Sequence, residues 1–141
     1  MTTPDFRENT ATHAGRRVIA ALEAHDFDAL AALFHDDYVE VIQRNADAPI
    51  PRDEMLRGIR LLVEEAGGML AIEPIATRGE HLQLHHTRIT VPKRDGGADV
   101  VEYMSVMVAD DDGRLTRTEA FDVDRIDDAT ARLEELHRAG G

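Results

Sequence analysis

Apolar residues in the first third of the chain recur at the three- and four-residue spacing of an amphipathic helix. Over residues 10–24 the positions that share this spacing are Ala14, Val18, Ala21 and Leu22. Asp26 is a typical N-cap for a second, shorter helix, which the polar run at residues 35–37 ends. The pattern therefore predicts a helical hairpin at the start of the domain.

A short strand and a third helix follow the hairpin. Residues 38–43 are rich in β-branched and aromatic side chains, which favour a strand, and residues 44–51 are predicted to form a loop. The third helix has apolar residues at helical spacing: Met55, Ile59, Leu62, Val63 and Ala66. Gly67 and Gly68 then supply a stop that tolerates positive φ.

Beyond Gly68 the apolar period changes to two. Four strands are predicted, at residues 70–78, 81–91, 99–109 and 115–123. The connections between them are short, so neighbouring strands should be antiparallel. Asp127 or Asp128 is predicted to cap a final helix, whose apolar face carries Ala129, Leu133 and Leu136. Because helices and strands are segregated along the chain, the fold class is α+β, and a Rossmann unit is excluded.

Composition removes several classes of function. With 141 residues, of which 43% are apolar, the chain is predicted to form one domain over residues 1–141. A net charge of −12 without a basic cluster argues against nucleic acid, and the lack of cysteine excludes disulfides and thiolate chemistry. The polar start is unlike a signal peptide, and no apolar run has the length of a membrane span. We therefore expect a cytoplasmic protein that does not bind membranes.

The helical hairpin and the C-terminal segment resemble a known superfamily. Residues 18–37, VIAALEAHDFDALAALFHDD, resemble the opening of a bacterial branch of the nuclear-transport-factor-2-like, or SnoaL-like, superfamily. Residues 113–122 and the helix that follows resemble its closing strand and helix. The resemblance covers nearly the whole chain. It implies a cone in which a curved antiparallel sheet wraps around the N-terminal helices, with the C-terminal helix beyond it, and encloses a pocket.

The superfamily includes isomerases, dehydratases, epoxide hydrolases, polyketide cyclases and non-catalytic modules, so the resemblance implies no single reaction. Many members dimerise through the sheet. The strand predicted at residues 99–109 is apolar on both faces, as expected if one face meets the pocket and the other a partner subunit. We therefore expect a homodimer through the sheet.

Ketosteroid isomerases of this superfamily use a carboxylate base with a Tyr and an Asp as hydrogen-bond donors. The resemblance aligns Val18, Ile42 and Ser105 with these three positions, and none carries the required group. Relatives like limonene epoxide hydrolase use an Asp-Arg-Asp set, which aligns with Thr90, Arg88 and Glu119. Since Thr90 is not a carboxylate, direct epoxide hydrolysis is not expected.

Strand parity and the alignment together predict which side chains enter the pocket. In the second long strand the predicted inward face carries Leu82, Leu84, His86, Arg88 and Thr90. Four ionisable groups are then predicted to converge as catalytic residues: Glu119, Arg88, His86 and Glu40. The predicted substrate-binding residues are Ile42, Phe34, Leu84, Met104, Ser105 and Phe121.

Each candidate also has a structural explanation. Arg88 and Glu119 can form an ion pair that only joins strands, and His86 can be a hydrogen-bonded core histidine. Glu40 can lie solvated at the rim, or it can pair with Arg44 or Arg52. No metal site is predicted. Among the three neighbouring histidines at most two, His81 and His85, share a strand face. The acidic run at residues 110–113 is predicted to be a hairpin turn rather than a calcium loop.

The leading hypothesis is a cofactor-independent acid-base isomerase, dehydratase or cyclase. Its ligand would be a hydrophobic, oxygenated compound of polyketide or terpenoid type. Glu119 would act as acid or base, with Arg88 as its orienting partner. The alternative is a non-catalytic ligand-binding or dimerisation module, and a third possibility is a structural adaptor with a filled cone.

Overall fold

The computed structural model describes residues 6–140 and confirms the helical hairpin. Helix α1 spans Thr10–Glu23 and helix α2 spans Phe27–Ala32. The Asn9 side chain caps α1 by accepting a hydrogen bond from the Thr12 amide at 2.9 Å. Its amide group donates to the backbone oxygens of Gly79 and Leu82, both at 3.1 Å, and so fixes the helix to the sheet. Asp26 caps α2, as predicted.

Six strands form one sheet. Their bounds are β1 Phe34–Ile42, β2 Ile50–Pro51, β3 Met69–Arg78, β4 Leu82–Pro92, β5 Ala98–Ala109 and β6 Leu115–Asp122. The order is β2-β1-β6-β5-β4-β3, and only the β1–β6 pairing among these is parallel. β1 begins at Phe34, earlier than predicted, because the polar run after it is accommodated by a shift in register with β6.

Two helices complete the fold. Helix α3, Arg52–Arg60, continues into a π-helical turn at Leu61–Glu65, and Gly67 follows with φ 66°. Helix α4 spans Ile126–Arg138. The N-cap position is Arg125, which makes no side-chain capping hydrogen bond. The predicted caps Asp127 and Asp128 lie in the first turn of the helix, where a negative charge is favourable. In the described part of the chain, no helix combines the length and apolar character needed to cross a membrane.

Helices cover both faces of the sheet. The inner face packs against α1, α2 and α3, around a cluster that includes Val18, Phe34 and Met107. The outer face packs against α4, where Leu82, Leu84 and Val106 meet Ala129 and Leu133. The fold is thus the predicted α+β arrangement of a curved sheet with N-terminal helices and a C-terminal helix.

The apolar outer face of β5 is buried within the chain itself. Met104 and Val108 pack in the cluster beneath α4. Only the start of the strand is open, with Val100 and Val101 each 43% exposed. The chain itself thus covers the second half of β5 but not Val100 and Val101, and the homodimer stays a prediction.

Candidate functional site

A narrow cavity of about 100 Å³ lies between the inner face of the sheet and helices α1 and α3. Most of its wall is apolar, with side chains from β1, β3, β4, β5 and β6, from Val18 of α1, and from Met55 and Ile59 of α3. Seven lining residues carry polar groups: Tyr38, Glu40, His85, Thr87, Tyr103, Ser105 and Thr118. A mostly apolar wall with a few polar groups is typical of a small-molecule site.

Glu40 is the carboxylate of this cavity. The hydroxyl of the buried Tyr38 donates to Glu40 Oε1 at 3.3 Å, and Thr118 is the cross-strand neighbour of Glu40 on β6. Burial raises the pKa of Glu40, and the Tyr38 hydrogen bond offsets only part of that increase. Burial also raises the pKa of Tyr38 well above its usual value, with the adjacent Glu40 charge adding to the effect. Tyr38 therefore acts as a donor.

Glu40 forms no ion pair with a Lys, Arg or His among residues 6–140. The two arginines proposed as its partners are engaged elsewhere: Arg44 binds Asp122, and Arg52 binds Asp53 and the Phe34 backbone oxygen. The ion pair of Glu40 with Arg44 or Arg52 is therefore not formed. The Glu40 carboxyl is free to exchange a proton with a molecule in the cavity.

A second group of polar side chains lines the cavity from β4 and β5. The Gln83 side-chain nitrogen lies 3.1 Å from His85 Nδ1, and Thr87 Oγ1 lies 3.0 Å from Ser105 Oγ. His85 and Ser105 are direct cross-strand neighbours. Burial, with a smaller contribution from the charge of His86, lowers the pKa of His85 to about 4. The imidazole is therefore neutral near pH 7.

His85 should make the protein sensitive to moderate acid. Its pKa of about 4 in the folded state lies below the ordinary 6.5, so the unfolded chain binds more protons between these values. Stability is complete above pH 6.5 and is lost as the pH falls towards 4. Between pH 7 and pH 5 the free energy of unfolding of the wild type should fall by about 2 kcal/mol more than that of His85→Phe, as measured by urea unfolding. His13→Gln, at an exposed position of α1, should keep the wild-type loss; equal losses in all three proteins would contradict this.

Glu119 is not in the cavity. It lies on the outer face, 3% exposed, with Arg132 of α4 donating at 2.9 and 3.0 Å and Arg117 at 2.6 Å. Burial alone would raise the pKa of Glu119, but the hydrogen bonds from the two arginines outweigh it and hold this pKa below its usual value. Glu119 therefore stays ionised and anchors α4 to the sheet.

The predicted pairing of Arg88 with Glu119 is also wrong. Arg88 lies opposite Glu102 on β5, and Glu119 lies opposite Val106, so β5 separates the two strands that carry them. Arg88 is exposed. His86, predicted to share the pocket with them, lies on the outer face and binds Glu102 at 2.9 Å. Three predicted substrate-binding residues also lie on that face, in the cluster beneath α4: Leu84, Met104 and Phe121.

Four predicted residues do line the cavity: Glu40, Phe34, Ile42 and Ser105. The misplaced residues of β4 share one cause. The prediction sets the more apolar alternation inward, but α4 buries that alternation on the outer face. The polar alternation, with His85 and Thr87, faces the cavity.

Sequence reasoning missed Tyr38, His85, Thr87, Tyr103 and Thr118, although a signal existed for two of them. Tyr38 alternates with Glu40 on the same strand face. The predicted turn between β4 and β5 fixes their register, which sets His85 beside the inward Ser105. His81, considered with His85 for a metal, instead binds Asp111 at 2.8 Å. The acidic run forms the predicted hairpin turn, in which Asp110 accepts from the amides of Asp112 and Arg114.

Comparisons with known proteins agree on the fold. A Mycobacterium tuberculosis protein solved in complex with estradiol-17beta-hemisuccinate has 15% identity and a TM-score of 0.67, and the match covers 83% of this chain and 97% of that one. The Δ5-3-ketosteroid isomerase of Mycobacterium sp. has 14% identity and a TM-score of 0.61, covering 81% and 93%. A limonene-epoxide-hydrolase-like enzyme of M. tuberculosis has 18% identity and a TM-score of 0.60, covering 79% and 81%.

A search among functionally curated proteins gave no match. The family model for the SnoaL-like domain matches residues 15–118, which include α1 to α3 and most of the sheet. This chain therefore belongs to the SnoaL-like domain family, within the superfamily that its sequence resembles.

Proposed function

We propose that the protein binds a small, largely apolar molecule in this cavity and catalyses proton transfer within it through Glu40. The observation that carries the proposal is a part-buried carboxyl group, on a mostly apolar cavity wall, whose pKa is raised and which has no cationic partner in the described residues. A raised pKa makes the carboxylate a stronger base and keeps the acid form available to return the proton.

The simplest reaction of this kind moves a double bond into conjugation with a ketone. Glu40 removes a proton from the carbon between the carbonyl and the double bond, and the electron pair moves to the carbonyl oxygen. The Glu40 acid then returns the proton to the far carbon of the dienolate. Atoms and charge balance without a cofactor. Relatives of the same fold, such as the ketosteroid isomerase, support this reaction class for the chain.

The size of the cavity limits the first substrate to be tested. An engineered cavity of roughly 150 Å³ holds benzene, so about 100 Å³ suits one small ring with slight widening. We expect the protein to convert cyclohex-3-enone to cyclohex-2-enone faster than buffer of the same pH. Ultraviolet absorbance of the conjugated product measures the rate.

The narrowness of the cavity favours a second function, ligand binding without turnover. Binding of cyclohex-2-enone is measured by chemical-shift changes of cavity residues. If it binds but cyclohex-3-enone is not converted, the result supports this binding module. If neither enone binds nor reacts, both functions are contradicted.

A further inference from the structure

Two hydrogen-bond donors that β4 and β5 present to the cavity lack an acceptor among residues 6–140. The Gln83 amide nitrogen can only donate, so at 3.1 Å it gives a hydrogen bond to His85 Nδ1. A neutral imidazole that accepts at Nδ1 carries its proton on Nε2. Among residues 6–140 no group hydrogen-bonds to Nε2, although His85 is only 3% exposed.

The second donor comes from the two hydroxyl groups beside His85. Thr87 Oγ1 and Ser105 Oγ are 3.0 Å apart, and one of them donates to the other. That bond uses one of their two hydroxyl protons, so the other is available to a molecule in the cavity. Ser105 is the direct cross-strand neighbour of His85, and Thr87 follows His85 on the same strand face.

His85 and Glu40 lie on different strands of the sheet. The strand order places β6 and β5 between the strand of Glu40 and that of His85. Glu40 and His85 nevertheless line the same cavity, so one ligand can contact both groups. The lining between them includes Ile42, Ala120 and Met107.

We infer that His85 Nε2–H, with the spare hydroxyl proton of the Thr87–Ser105 pair, binds a carbonyl oxygen of the ligand, and that Gln83 is the positioning residue that fixes this tautomer. The inference rests on the proposed function and names the substrate class, an apolar ketone or related carbonyl compound. As Glu40 takes a proton from the adjacent carbon, charge develops on that oxygen, and the two donors stabilise it. Because the imidazole is neutral, it needs no counter-ion in the apolar wall.

Gln83 has a further property that agrees with a positioning role. Its side-chain oxygen is the only fully buried side-chain N or O atom in the described residues without a hydrogen-bond partner. An uncompensated buried amide oxygen costs stability, so leucine or methionine would suit a purely structural position better. A role in orienting His85 towards a ligand explains why an amide is present here despite that cost.

The test compares cyclohexanone with methylenecyclohexane, which replaces the carbonyl oxygen by a CH₂ group of similar size. Dissociation constants come from chemical-shift titration of the full chain. The quantity of interest is the ratio of the two constants, because each variant is then its own control for cavity shape. We expect His85→Phe and Gln83→Met to lower the preference for the ketone about fivefold, while methylenecyclohexane still binds. His86→Phe, on the outer face, should leave the ratio unchanged.

A second measurement needs no variant. Long-range nitrogen–proton correlation spectra of the wild type distinguish the two neutral tautomers of His85, and we expect the proton on Nε2. A proton on Nδ1, or an unchanged ratio in His85→Phe, would overturn the inference and leave the pocket and Glu40 in place. If the wild type binds neither probe, the inference and the proposed function fail together.

Discussion

Glu40→Gln is expected to lower kcat for the isomerisation of cyclohex-3-enone by about 10²- to 10⁴-fold, the usual contribution of a positioned acid-base group. The glutamine keeps the size of the side chain and can still accept the Tyr38 hydrogen bond. What it removes is the exchangeable proton. KM should change little, because no step of ground-state binding needs the charge.

The stability of the same variant separates catalysis from folding. Because burial raises the pKa of Glu40, the folded state favours the protonated form; stability is complete below pH 4.5 and falls as the pH rises through the folded-state value. Glu40→Gln should abolish this loss, so at pH 8 it is expected to be at least as stable as the wild type. Full turnover in a folded Glu40→Gln protein would reject Glu40 as the catalytic group.

Arg132→Met is expected to lower the free energy of unfolding by about 2–3 kcal/mol at pH 7, since a hydrogen bond to a charged group contributes about 1.5–3 kcal/mol. The substitution leaves the buried Glu119 carboxylate with Arg117 and Gln43 as its remaining partners. Because the pKa of Glu119 is lowered, its stabilisation is present above pH 4.5 and lost as the pH falls through the folded-state value. The variant should therefore lose less stability than the wild type on acidification.

The matched control is Glu135→Gln, which removes the other, exposed partner of Arg132. A surface substitution of this kind should change stability by less than about 0.5 kcal/mol. Turnover per folded molecule should be unaffected in both variants, because α4 lies on the face opposite the cavity. A loss of turnover in folded Arg132→Met would show that the outer ion pair does contribute to the chemistry.

Local patterns predicted the elements well where the signal is short-range. The Asp26 cap, the Gly67 stop and the turn at residues 95–97 each depend on backbone conformations that only a few residue types favour. The early start of β1 was missed because His35 and Asp36 are poor strand formers, and pairing with β6 overrides their preference. The two-residue β2 carries no pattern of its own.

The candidate site was harder to predict, because both faces of the sheet are buried. When one face is open to water, the apolar alternation marks the inside. Here α4 covers the outer face, so Leu82 and Leu84 are as buried as any inward residue, and periodicity alone does not distinguish the faces. In β4 the rule that the apolar alternation faces inward gives the wrong face, since the residues that line the cavity are the polar His85 and Thr87. Glu119 was misassigned by the family alignment, which sets it inward, whereas it lies beside Arg132 of α4.

The parallel pairing of β1 with β6 also orders events during synthesis. Apart from the two-residue β2, β6 is the only neighbour of β1 in the sheet, and it comes from the far end of the chain. Long-range pairings of this kind form late, because a large loop must close before the contact is made. A nascent chain that has exposed α1 to β5 therefore already carries Glu40 but has not yet enclosed it. Glu40 therefore receives its apolar surroundings last.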